Sequence, residues 1–367
     1  MGTDFRELDP DSPGVQELLR LLSRRSFLAL GGTAFVGTFA YEAIQNVNAL
    51  SSQSSESPNS SFIAQGENQL MGIDITPTSP DYFIPDRFKG KTLLVTGAAT
   101  GIGAATAIRA AREGANVVGM DRKGKELNET ISQIKSEGHK AIAIVGNVVD
   151  TADCDRMVAE AVKVFGGLDL ALNAAGVMDA GDPAKPLNFQ GQRNLLPNSI
   201  HEATDEYWDE VLAVNTTGMF KSLRAELRQM VEQKRGGAIV NIGSIAGLTG
   251  LAGNPAYEAS KHGVTGLTRN AALDYAPYGI RVNSVNMAAT KTPLTDRAFE
   301  FVKNAQNEGK GSPTANLKSM SILMAVDSQN RMATVWEQGA TILFLLSQDA
   351  SNLTGCVYAT DGGWTAY

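Results

Sequence analysis

A chain of 367 residues, 43% of them hydrophobic, has enough apolar surface for a large core, which excludes a wholly disordered chain and sets an expectation of about two domains. A formal net charge of −7 without basic clusters argues against a nucleic-acid partner. Two cysteines, Cys154 and Cys356, are too few for a disulfide scaffold or a four-thiolate metal site, and both are expected to stay unpaired.

The first segment has the makings of an address. Ser23-Arg24-Arg25-Ser26-Phe27-Leu28 matches the twin-arginine export signal, a paired Arg ahead of a bulky apolar pair. The uncharged stretch 26–41 is short and diluted by Gly31, Gly32 and Gly37, too weakly apolar for a membrane span. Val47-Asn48-Ala49 supplies small residues of the kind a signal peptidase reads. Residues 1–49 are therefore expected to be a twin-arginine signal peptide, with the export machinery as a partner and the periplasm as destination. A retained, uncleaved membrane anchor is the alternative.

Residues 50–87 form an expected linker and arm. From 50 to 61 the chain turns to Ser, Gln, Asn and Glu, which cannot bury enough apolar surface to offset the entropy of ordering. From 72 to 88, Ile73, Ile75, Tyr82, Phe83 and Ile84 sit among Pro77, Pro80 and Pro85, which forbid a helix. This predicts an extended arm laid on a neighbouring surface, its own or a second subunit's. The remainder, 88–367, is expected to be one catalytic domain.

Within it, short apolar runs at 92–95, 116–120, 141–145 and 168–172 alternate with helical segments at 102–113, 125–137 and 153–165. Val-, Ile- and Leu-rich runs separated by helices predict an α/β fold, a doubly wound parallel sheet of about seven strands with helices on both faces. The first run leads into Thr96-Gly97-Ala98-Ala99-Thr100-Gly101-Ile102-Gly103. Glycines there let the backbone turn sharply and bring a pyrophosphate to a helix N-terminus, where free N–H groups favour anions. Eighteen residues on, Asp121 closes the second strand, where an acid can bind the ribose hydroxyls of an adenosine. Two rival motifs fail on position. Gly90-Lys91-Thr92 precedes the strand instead of following it, and Ile242 stands where a hydrolase elbow around Ser244 would need glycine.

With Asn173-Ala174-Ala175-Gly176, Asn215, Ser244 and Tyr257-x-x-x-Lys261, the segment from about 88 onward resembles a single-domain short-chain dehydrogenase/reductase. The resemblance implies a nicotinamide cofactor and a small alcohol or carbonyl substrate. It also implies cofactor contacts at Thr96, Gly97, Thr100, Gly101, Ile102 and Gly103, at Asp121 and Arg122, and at Asn147 and Val148. Asn173, Ala174 and Gly176, then Tyr257, Lys261, Thr290 and Thr292, complete the implied set. Asp121 would repel a 2′-phosphate, so NAD is expected over NADP. Two positions depart from the family pattern: Asn147 replaces an Asp, and Met287-Ala288 replaces a Pro-Gly pair beside the nicotinamide.

The catalytic set is expected to be Tyr257, Lys261, Ser244 and Asn215. Tyr257 and Lys261, four apart, share one helix face, and a nearby ammonium favours the phenolate. The Ser244 hydroxyl can stabilise the reacting oxygen. By resemblance, Asn215, on a long helix after Glu206, orients a proton-relaying water. Residues 177–202 and 293–332 are candidates for roofing the substrate. His139, His201 and His262 are too scattered to bind a metal, and none is expected. A homodimer or homotetramer is expected by resemblance alone. A non-catalytic dinucleotide-binding sensor, and a lyase or epimerase on the same scaffold, are the competing readings.

Overall fold

Runs rich in Val, Ile, Leu and Ala form seven strands: β1 Thr92–Thr96, β2 Asn116–Asp121, β3 Ala141–Val145, β4 Leu170–Asn173, β5 Gly237–Ile242, β6 Ile280–Met287 and β7 Val357–Thr360. The computed structural model describes residues 75–182, 185, 188–307 and 321–366. The expected signal peptide and the polar linker lie outside the described residues. All strands are parallel, in the order β3-β2-β1-β4-β5-β6-β7. One sheet thus takes in the chain from 92 to 360, and a single domain replaces the two that length suggested.

Side chains alternate along β1: Leu93 and Val95 enter one core, Leu94 the other. The first core is closed by α1 (Gly101–Arg112), α2 (Gly124–Ser136) and α9 (Val335–Leu346). The second is closed by α3 (Thr151–Phe165), α5 (Met219–Gln233) and α6 (Pro255–Tyr275). Strand order reverses between β1 and β4, which opens a crevice at the carboxyl ends of those strands.

The helix expected to run unbroken past Glu206 is instead divided. After α4 (Asp205–Leu212) comes one π-helical turn, Ala213–Gly218, before α5 begins. Two further helices, α7 (Pro293–Asn307) and α8 (Ile322–Val326), lie in the segment expected to form a lid.

The arm lies on its own domain. The Ile84 N–H and the Arg87 guanidinium donate to Glu113, which also pairs with the buried Arg109. Arg109 stacks over Tyr82 at 5.0 Å, Arg112 donates to the Pro80 carbonyl, and Arg331 donates to that of Ile75. Among the described residues no helix is long and apolar enough to cross a membrane.

Candidate active site

At Gly97 and Gly103 the glycine turn has no room for a side chain. Gly97 (φ +69°) and Gly101 (φ +61°) are left-handed, and a Cβ on Gly97 would stand 2.8 Å from the Ala174 carbonyl group. One on Gly103 would stand 2.1 Å from the Gly97 oxygen. Thr100 makes no side-chain cap, and the first turn of α1 holds no acid, so its positive end meets the crevice uncompensated. This cradle fits a dinucleotide phosphate. Asp121, at the end of β2, accepts the N–H groups of Ala99 and Lys123 at 3.1 and 2.9 Å, which holds its carboxylate beside the turn.

The crevice is a cavity of about 470 Å³. Gly97, Thr100, Gly101, Ile102 and Gly103 form one end with Asp121, Arg122, Asn147 and Val148. Ala174 and Gly176 follow β4, and Thr290 and Thr292 follow β6. Ser244, Tyr257 and Lys261 face the same space. The Ser244 N–H donates to Asn286 Oδ1 at 3.2 Å, and its hydroxyl accepts from the Ala246 N–H at 3.2 Å. Lys261 Nζ donates to the Ile242 carbonyl at 2.9 Å and stands 5.6 Å from the centre of the Tyr257 ring.

Asn215 sits one layer behind the cavity, in the π-helical turn. Its amide clasps Val177 on both backbone groups, each at 2.8 Å, and donates to Ser260 Oγ at 3.0 Å. A π-turn that aims a side chain at tertiary partners is a recurrent device at functional sites.

Burial dominates the electrostatics. It pushes the Tyr257 phenol above its usual range, with a hydrogen bond from Ser244 pulling the other way, and it brings Lys261 down to about 8. Burial sets the direction for both groups, and the Lys261 ammonium is held by the Ile242 carbonyl.

Residues 91–303 match the family described as short chain dehydrogenase. A 3beta-hydroxysteroid dehydrogenase from Mediterraneibacter gnavus is 37% identical over 290 residues, covering 78% of this chain and 98% of the relative. The chain belongs to the short chain dehydrogenase family. A cyclohexanol dehydrogenase from an Acinetobacter species is 35% identical over 281 residues, covering 77% of this chain and 97% of that one. The crystal structure of a short chain dehydrogenase from Mycobacterium paratuberculosis bound to NAD is 26% identical, covers 77% of this chain and 100% of its own, and superposes with a TM-score of 0.65. Membership makes this protein an oxidoreductase of a family that uses nicotinamide cofactors.

Two implied cofactor contacts do not line the cavity of this short chain dehydrogenase. Thr96 is buried and offers its hydroxyl to the Ala175 N–H at 3.4 Å, bracing the loop after β4. Asn173 turns beneath the sheet, donating to Glu226 at 3.0 Å and to Asn241 at 3.1 Å. Sequence reasoning missed Glu226, Asp179, Arg297 and Trp364. The last three line the cavity, and none carries a local spacing signal. Both cysteines are free, and among the described residues no His, Cys, Asp or Glu cluster could hold a metal ion.

Proposed function

We propose that this short chain dehydrogenase transfers a hydride between NAD and an alicyclic secondary alcohol or its ketone, with Tyr257, Ser244 and Lys261 as its catalytic residues and Asn215 as a positioning residue behind them. The convergence of Tyr257, Ser244 and Lys261 on the dinucleotide crevice carries this reading. The glycine cradle and the open end of α1 would hold the cofactor phosphates, and Asp121 the adenosine ribose. When bound, the nicotinamide donates or accepts the hydride.

The chain's own groups handle the proton. In reduction the Tyr257 phenol, whose neutral form burial favours, gives its proton to the carbonyl oxygen and becomes a phenolate; in oxidation it first gives up that proton, and the phenolate then takes one from the alcohol. Ser244 hydrogen-bonds the same oxygen as its charge develops. Lys261, at about 8, stands near enough to neutrality to pass a proton onward. Asn215 holds Val177, and with it the loop beside the nicotinamide end, in place.

An apolar wall of Met178, Leu251, Leu294, Phe299, Met324 and Trp364 suits a ring substrate, in keeping with the steroid and cyclohexanol named for two relatives. Export by the twin-arginine route and assembly into a dimer or tetramer belong to the same proposal. The exposed Trp208 and Phe220 on α4 and α5 favour a homo-oligomer. The central test is Tyr257→Phe, assayed on cyclic secondary alcohols by nicotinamide absorbance. It is expected to lower kcat by about 100-fold or more while NAD still binds. Undiminished turnover would sink the assignment.

A further inference from the structure

Helix α7 has two working faces. Leu294, Ala298 and Val302, spaced by four, line the cavity. Arg297, Phe301 and Ala305, also spaced by four, are set against the loop that follows β4. The Arg297 guanidinium grips Asp179 with two bonds, Nε to Oδ2 at 2.8 Å and Nη2 to Oδ1 at 3.0 Å, and its Nη1 donates to the Lys185 carbonyl at 3.2 Å. The Gly181 N–H donates to the same carboxylate at 2.8 Å. A Cβ on Gly181 would stand 2.5 Å from Arg297 Nη2, so a side chain there would press on the fork. Only 13% and 11% of the two side chains is exposed, so water screens the pair weakly.

A second clamp joins the same two segments one turn along α7. The Phe301 and Phe189 rings lie 5.6 Å apart with the Arg193 guanidinium against both, and Leu196 and Ala305 fill the cluster. At its other end the loop is tied to Asn215 through Val177, two residues before Asp179.

We infer that Arg297 is a positioning residue: its fork on Asp179 holds α7 closed over the substrate, in register with the loop that Asn215 anchors. This rests on the hydride-transfer reading for its kinetic consequence but not for its structural one. A bidentate guanidinium–carboxylate pair supplies both strength and direction, and neither Lys nor a neutral side chain reproduces it.

The test is a double-mutant cycle of Arg297→Met and Asp179→Asn, with Arg297→Lys as the conservative variant. Each single change is expected to raise KM about tenfold with kcat altered much less, since ground-state and transition-state binding are lost together. The double variant should be no worse than the worse single, because each group acts through the other. Arg297→Lys should recover part of the loss, and it carries the test if the Met variant does not fold. Hydrogen exchange should quicken in both 293–307 and 177–196. Additive losses, an unchanged KM, or faster exchange in α7 alone would overturn the latch. If the wild-type chain oxidises no alcohol, hydride transfer fails as a reading, and the exchange measurement alone still decides the latch.

Discussion

Glu226 is a carboxyl group buried beneath the sheet, facing Asn173 and, through it, Asn241 and Thr268. Desolvation raises it from 4.5 to about 7, with the Asn173 amide opposing. Between those values the folded chain keeps a proton that the unfolded chain has released. Stability from this group is therefore complete below about pH 4.5 and is lost as pH rises through about 7. Glu226→Gln is expected to flatten the fall in Tm across that window, a difference of the order of a few kcal/mol at pH 8. A Tm profile parallel to the wild type would refute it. At the cofactor end, Asp121→Ala removes the negative charge that disfavours a 2′-phosphate. The ratio of kcat/KM for NADP over NAD is expected to rise about tenfold or more, and an unmoved ratio counts against NAD selection by this side chain. Sequence led straight to Tyr257, Lys261 and the glycine turn because their meaning lies in local spacing. It did not show that the Thr96 and Asn173 side chains, at the ends of their strands, turn away to the Ala175 N–H and to Glu226 and Asn241. For Asp179 and Arg297, 118 residues apart, there was no local pattern to read.

At the scale of elements, strands and helices emerged with ends displaced by one or two residues, as expected of a strict βα alternation. The π-helical turn did not, because its cause is tertiary: Asn215 reaches Val177 and Ser260, which are distant in sequence. A Cβ on Gly218, at the end of the turn, would stand only 2.7 Å from Val148. Helix α9 shows the opposite case. Thr334 and Glu337 form a reciprocal capping box, and Arg331 grips the Glu337 carboxylate at 3.0 Å on both oxygens. Thr334→Ala is expected to cost about 1 kcal/mol, read as a lower midpoint in urea with an unchanged slope. A midpoint that does not move would mean Arg331 alone sustains that helix start.

For the whole molecule, the family match covers residues 91–303, and the export signal and linker proposed above would lie ahead of it. The twin-arginine route carries folded proteins, and nucleotide is at hand only before crossing. An exported dehydrogenase of this kind is therefore expected to leave with its cofactor bound. Arg24→Lys with Arg25→Lys should leave the protein in the cytoplasm on fractionation, whereas the wild type should reach the periplasm with NAD recoverable from it. Equal export of the two forms would dismiss the signal.

The arm also decides how this protein bears a pull on its N-terminal end. Its attachments at Ile75, Pro80 and Ile84 follow one another along the chain, so tension opens them in series instead of all at once. The outer two are exposed and yield cheaply. The last is the buried carboxylate of Glu113, which follows the cofactor helix α1 and is gripped by Arg87 and Arg109. A pull on the arm is therefore expected to open the two outer attachments before it loads the Glu113 junction at the end of α1.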